Sequence, residues 1–196
     1  MNSSEFFTYV ENAHDRTIRF YCCAVATEIK DLAKTNEVMK AVAYGELMAE
    51  RHMLEPKEAI LAIKLREYMQ NVARNTTNFQ RRIAREAGII CLKPTIEHRD
   101  VRDLRNSIIQ FKGHRFDDEI NKCIRLNHAR KSGGTKHLHI RDMARKMRDE
   151  QDWAVGGVLA DACEELDILT QDAWDHLRQD CHWRGCWVLD DLFGVW

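Results

Sequence analysis

Apolar residues recur every three or four positions along most of the chain, which is the spacing of an amphipathic helix. Near the amino terminus Phe6, Phe7, Val10, Ala13, Thr17 and Phe20 follow this pattern. Applied along the chain, with capping and breaking residues as boundaries, the pattern predicts seven helices. Their approximate ranges are 4–34, 36–54, 56–87, 95–111, 117–131, 140–149 and 155–181.

Three local signals refine these boundaries. The polar run from Asn75 to Asn78 predicts a kink in the third helix, because such side chains compete for backbone hydrogen bonds. Gly88 predicts the carboxyl end of that helix. The apolar run from Ile89 to Leu92 is short enough to be either a strand or a buried linker.

Composition supports an all-α fold. Only 2 prolines and 9 glycines occur in 196 residues, so turns are too few for a many-stranded architecture. We expect a multi-helix bundle over residues 1–132 and a C-terminal helical segment, basic and then acidic, over 133–196. The two could form one continuous domain.

The cysteines and the hydropathy of the chain predict its cellular location. No stretch of 18 apolar residues is present, which argues against a membrane span. The first residues lack the features of a signal peptide. With an odd number of cysteines, 7, we expect reduced thiols and a cytoplasmic location.

The net charge of −1 hides a strong segregation. Residues 74–148 carry 19 Lys and Arg against 8 Asp and Glu, a net charge of +11. Residues 149–196 carry 2 against 12, a net charge of −10. Such asymmetry indicates a face that binds a polyanion beside an acidic module. Alternatively, the two segments neutralise each other within the chain.

The segment from Asp100 to Phe111 contains the most informative motif. Its core, Leu104–Ile109, includes Arg105 followed by Asn106. This helix resembles the signature helix of the HEPN family, small helical domains that bind nucleotides or cleave RNA. The family motif has four to six residues between the arginine and a histidine. Here Gln110 occupies the first such position, and the nearest histidine is His114.

The resemblance implies an RNA-directed protein whose catalytic pair is degenerate or displaced, acting as a homodimer. In a metal-independent ribonuclease a histidine moves the proton and an arginine contacts the phosphate. Glutamine cannot move a proton near neutral pH. The implied protein therefore either binds without cutting or uses His114. The resulting candidate catalytic residues are Arg105, Asn106 and His114. The candidate nucleic-acid-binding residues are Arg99, Arg102, Lys112 and Arg115.

One group of residues near the carboxyl terminus has the composition of a metal site, namely His176, Cys181, His182 and Cys186. Structural zinc sites use such ligands, in two well-separated pairs. Free cysteines are more often packed in a core. The sequence therefore favours packing, and we expect neither a bound metal nor a cofactor.

The acidic end offers an alternative function. It contains all five tryptophans, Trp153, Trp174, Trp183, Trp187 and Trp196, a residue type enriched at binding hot spots. Carboxylates along a helix can imitate the phosphates of a nucleic acid. The alternative is thus a non-enzymatic module that binds or inhibits a protein partner. The simpler interpretation of the tryptophans is that they anchor a docked C-terminal helix.

Overall fold

The computed structural model describes residue 13 and residues 15–194, apart from residues 34, 52, 125–133, 180, 181 and the side chain of Phe116. The described residues form ten α-helices and two 3₁₀ helices, with no strand among them. The all-α prediction is therefore confirmed. None of these helices is both long enough and apolar enough to cross a membrane.

The chain divides into two compact units, Met1–Asn121 and Lys122–Trp196. The division falls within one helix, His114–Ile124. The boundary expected from the sequence, between residues 132 and 133, lies outside the described residues.

Among its described residues, six helices begin in the first unit: α1 (Asp15–Ile29), α2 (Glu37–Arg51), α3 (Pro56–Arg74), α4 (Phe79–Cys91), α5 (His98–Lys112) and α6 (His114–Ile124). A 3₁₀ turn, Lys30–Ala33, follows α1. Helix α1 is central and packs against α2, α4 and α5. It is buried on almost every side, because its middle turns consist almost entirely of apolar residues, cysteine and tyrosine.

The third predicted helix is two helices in the structure. Helix α3 ends at Arg74, and α4 begins after Asn78, whose side chain accepts a hydrogen bond from the backbone N–H of Arg81. The polar run that we expected to kink one helix therefore separates two. An asparagine at an N-cap stabilises the start of a new helix.

The prediction that Gly88 ends this helix was wrong. Helix α4 continues to Cys91, so the short apolar run is its last turn rather than a strand. Gly88 lies where a larger residue would collide with Met69 of α3. Just beyond Cys91, the buried Arg19 of α1 donates hydrogen bonds to the carbonyls of Cys91 and Lys93, at 3.0 and 2.9 Å. A cation that satisfies these orphan carbonyls stabilises a helix end.

The described part of the second unit contains the end of α6 and four further helices: α7 (Leu138–Asp149), α8 (Gly156–Glu165), α9 (Gln171–Leu177) and α10 (Trp187–Phe193). A short 3₁₀ helix, Trp153–Val155, precedes α8. Buried residues from all four helices share one core, which also includes Cys123 from α6.

The predicted acidic helix over 155–181 is likewise interrupted. Helix α8 ends at Glu165, and Asp167 and Leu169 adopt left-handed backbone conformations, with φ of 50° and 73°. The backbone N–H of Ile168 donates to the carbonyl of Cys163 at 2.8 Å, which closes the turn. The acidic segment thus folds back on itself as α8 and α9.

Candidate functional site

Helix α5 carries the motif that suggested a function. It begins with a reciprocal capping box, in which the side chains of Glu97 and Asp100 each accept from the other's backbone N–H. Its inner face consists of Val101, Leu104 and Ile108, all buried. This inner face fixes which side chains of the helix point outward.

Arg105 lies on the buried side of α5. Its Nε donates to Asp117 Oδ2 of α6 at 2.8 Å, and the side chains are only 3% and 1% exposed. The hydroxyl of Tyr21, on α1, donates to the other oxygen of Asp117 at 2.7 Å. The amide of Asn121 also donates to this oxygen, at 3.2 Å. One buried carboxylate therefore joins three helices of the first unit.

Burial and the neighbouring Asp117 carboxylate raise the pKa of Tyr21 well above its usual value. Tyr21 therefore remains a neutral donor, and the arginine supplies the positive charge that the carboxylate requires. Such a network is structural in character, because its charged groups are paired and hydrogen-bonded.

The three candidate catalytic residues do not share a surface. Arg105 is buried, whereas Asn106 and His114 are exposed, as is Gln110 at the first histidine position of the motif. Contact between Arg105 and a phosphate would require opening of the ion pair with Asp117.

The four candidate nucleic-acid-binding residues are all exposed: Arg99, Arg102, Lys112 and Arg115. Carboxylates lie beside the three arginines: Glu97 at 3.8 Å from Arg99, Asp103 at 3.5 Å from Arg102 and Glu119 at 3.0 Å from Arg115. Exposed pairs of this kind contribute little to stability. These cations are therefore available to exchange their partners for phosphate oxygens.

The second unit contains a cluster of two thiols and two imidazoles. Cys123 comes from the last turn of α6, His176 from α9, His182 from the following connection and Cys186 from the N-cap of α10. Their potential ligand atoms all lie within 4.8 Å of one another. The cluster therefore connects the last turn of α6, where this unit begins, with α9, the connection after α9 and the start of α10.

The closest contact in the cluster is between His176 Nε2 and Cys186 Sγ, at 3.2 Å. Burial acts to raise the pKa of Cys186. Hydrogen bonds with Cys123, His176 and His182, and the charge of His176, outweigh burial and hold this pKa well below the usual thiol range. Cys186 is thus stabilised as a thiolate.

Sequence reasoning found three of these residues and missed Cys123. It grouped Cys181 with them instead, and Cys181 lies outside the described residues. Cys123 is more than fifty positions from His176, and no spacing rule connects the two residues. Only the position of Cys123 in the core of the second unit indicates that they belong together.

The described tryptophans belong to the core of the second unit. Trp187 is buried, and Trp153, Trp174 and Trp183 pack partly buried against the same core. The indole of Trp174 donates to the carbonyl of Ile168 at 2.7 Å. Trp196 lies outside the described residues. This arrangement supports the simpler interpretation, in which large apolar residues anchor the end of the chain.

Comparisons with family models, with curated protein sequences and with solved structures find no match to this chain.

Proposed function

We propose that this protein binds nucleic acid, with RNA as the expected target, through the outward face of α5. The supporting observation is a row of exposed hydrogen-bonding side chains on that face, Arg99, Arg102, Asn106 and Gln110. They are three or four residues apart, so they align along one side of the helix. Guanidinium groups bind phosphates, and amides can bind base edges or sugar hydroxyls.

The proposed activity is binding without cleavage. Arg105 is committed to Asp117 in the interior, and Gln110 cannot transfer a proton. Neither half of the motif's catalytic pair is therefore poised for chemistry. The preference for RNA over DNA rests on the resemblance to the HEPN helix.

The test is a salt titration of binding, followed by fluorescence anisotropy, with single-stranded RNA and DNA oligonucleotides of one sequence. Arg102→Gln should weaken binding and reduce the slope of log affinity against log salt by about one. The matched control is Arg82→Gln, which removes an exposed arginine from α4 that also has a carboxylate neighbour, Glu86. Equal affinities for wild type and Arg102→Gln at low salt would reject this face as the binding site.

A cleavage assay in chelator separates binding from catalysis. We expect wild-type protein to leave the RNA intact. His114 is exposed, so His114→Ala should preserve the fold and isolate its chemical role. RNA cleavage that disappears both in His114→Ala and in an Arg105→Ala protein shown to be folded by circular dichroism would replace the binding-only proposal with the displaced catalytic pair. Gln110→His is the reverse test: it would gain cleavage only if Arg105 could leave its ion pair with Asp117 to contact the phosphate, so we expect this variant to bind RNA without cleaving it.

The homodimer and the cytoplasmic location expected from the sequence remain part of this proposal. Several apolar side chains of α3 are about half-exposed: Ile60, Leu61, Ile63 and Tyr68. A surface of this kind is compatible with self-association. Sedimentation velocity over a range of concentrations tests for self-association, and a monomer at all concentrations would rule out the homodimer.

The alternative function, binding of a basic protein partner, is favoured by the surface of α8 and α9. Exposed carboxylates are concentrated there: Asp161, Glu164, Glu165, Asp172 and Asp175. Arg178 forms ion pairs with Asp161, Glu164 and Asp175, which neutralises part of this charge. Replacing Glu165 and Asp172 with glutamine and asparagine should abolish partner capture and leave RNA affinity unchanged.

A further inference from the structure

We propose that Cys123, His176, His182 and Cys186 bind a single Zn²⁺ ion in a closed tetrahedral site that stabilises the second unit. This site is independent of the proposed RNA binding, because no residue of α5 takes part in it. It also replaces the expectation from the sequence that the chain holds no metal.

The donor set is the first argument. Two thiolates and two imidazoles are among the standard ligand combinations of structural zinc. The cluster contains no carboxylate, and ligands of this softness disfavour magnesium and calcium, which prefer oxygen.

The distances are the second argument. Zinc bonds of about 2.0–2.3 Å place two ligands of one tetrahedral ion roughly 3.3–3.8 Å apart. His176 Nε2 and Cys186 Sγ are separated by 3.2 Å, and Cys186 Sγ and His182 Nδ1 by 4.0 Å. All four potential ligand atoms lie within 4.8 Å of one another. Displacements of the ligand atoms by a few tenths of an ångström to about 1 Å are therefore enough to reach tetrahedral geometry.

Burial is the third argument. Cys123, His176, His182 and Cys186 are exposed by only 1%, 4%, 5% and 0%. A buried thiolate or imidazole nitrogen without a partner is costly, and one metal ion bound by all four side chains would satisfy their donor atoms together. Four buried protein ligands leave no position for water, so the site is structural rather than catalytic.

The surroundings of the cluster fit the same assignment. The backbone N–H of Trp183 points to Cys123 Sγ at 3.4 Å, the kind of contact that stabilises a coordinated thiolate. The rings of Trp153 and Trp187 lie 5.7 and 5.8 Å from those of His182 and His176. These indoles help to exclude water from the ligands.

Two other states of the cluster would give different experimental results. A disulfide between Cys123 and Cys186 would make the unreduced protein two hydrogens lighter than the reduced protein and would prevent metal binding. A purely hydrogen-bonded cluster would leave both thiols free in a folded protein without metal.

The test begins with the full chain, produced in zinc-supplemented medium and purified under reducing conditions without chelator. Elemental analysis should find one zinc per chain, and X-ray absorption should find two sulfur and two nitrogen ligands. A folded, reduced protein without stoichiometric zinc would overturn the proposal, as would oxygen-dominated coordination or the disulfide mass.

Three variants test the ligand assignment. Cys123→Ser should lose zinc on dialysis, whereas Cys163→Ser should retain it, since Cys163 is equally buried in the same core but outside the cluster. Cys181→Ser should also retain zinc. Loss of zinc from Cys181→Ser, with retention in Cys123→Ser, would overturn the assignment in favour of the set suggested by the sequence.

A measurement on the unaltered chain covers the case in which Cys123→Ser does not fold. Zinc is removed anaerobically, Co²⁺ is added, and the visible spectrum is recorded. Tetrahedral coordination by two thiolates should give intense visible and thiolate charge-transfer bands, which added Zn²⁺ then abolishes. If the protein is folded by circular dichroism after Co²⁺ is added and these bands are absent, the site does not exist. Because RNA binding is measured separately, failure of either proposal leaves the other intact.

Discussion

At the residue scale, Asp117 is the most consequential side chain of the first unit. It accepts from Arg105 of α5 and from Tyr21 of α1, so a single carboxylate orients two neighbouring helices. The sequence suggested a catalytic role for Arg105, because the motif contains an arginine at this position. It could not reveal that the arginine faces inward, since the partner aspartate belongs to another helix.

We predict that Arg105→Ala destabilises the fold by about 3–5 kcal/mol, because it leaves the buried carboxylate of Asp117 without its cation. The control is Arg115→Ala, which removes an arginine that is 92% exposed beside Glu119. That change should cost less than about 1 kcal/mol. Urea denaturation followed by circular dichroism measures both. Similar losses of stability in the two variants would mean that the buried ion pair contributes no more than the exposed one.

A second residue-scale prediction concerns alkaline pH. Burial raises the pKa of Cys163 from its usual value to about 11. The unfolded chain releases this proton near the ordinary thiol pKa of about 8.5. The resulting stability is therefore complete below pH of about 8.5 and is lost as the pH rises towards 11. The same direction holds for Tyr21 and Cys22, whose pKa values burial also raises, and for Cys23, whose pKa is raised by a hydrogen bond with Cys91 and by burial.

The measurement is the free energy of unfolding at several pH values between about 8 and 11. Stability should decline across this range, and Cys163→Ala should show a shallower decline than wild type. An unchanged slope in Cys163→Ala would show that this thiol does not carry the effect.

At the scale of elements, the predicted helices were correct in type but not always in continuity. In the first unit one predicted helix is divided into α3 and α4, whereas in the second α7 agrees closely with its predicted range. The prediction of one continuous acidic helix was wrong because the apolar residues on either side of Asp167 keep the spacing of a helix. The interruption is accompanied by a local hydrogen bond from the Trp174 indole to the Ile168 carbonyl, which apolar spacing does not predict.

Adjacent glycines at the start of α8 provide a test of helix packing. A Cβ on Gly156 would collide with the carbonyl oxygen of Leu177 and meet Met147 Cε at 3.2 Å, whereas a Cβ on Gly157 would meet nothing within 4 Å. Gly156→Ala should therefore destabilise the protein by about 1–3 kcal/mol. Gly157→Ala should stabilise it by about 0.5–1 kcal/mol, because alanine favours the helix. Thermal denaturation of the two variants compares them, and the same sign of change for both would contradict the close approach at Leu177.

At the scale of the whole molecule, the two units should differ in how they respond to loss of metal. The proposed ligands all belong to Lys122–Trp196, and none to Met1–Asn121. Structural zinc contributes directly to folding. We therefore expect a strong chelator to lower the melting temperature of the second unit and leave that of the first nearly unchanged.

Differential scanning calorimetry with and without chelator measures this effect. The expected result is two thermal transitions, of which one shifts. A single transition that shifts as a whole would mean that the units unfold together. No shift at all in a protein shown to contain zinc would mean that the ion does not stabilise the fold.

The division into two units also separates the chromophores of the protein. All four tyrosines lie in Met1–Asn121, and all five tryptophans lie in Lys122–Trp196. Tyrosine emission overlaps tryptophan absorption, so excitation energy absorbed in one unit can be transferred to the other. The unlabelled protein thus carries a donor set and an acceptor set on separate bodies. Its intrinsic fluorescence can report changes in the distance between them when RNA or zinc is added.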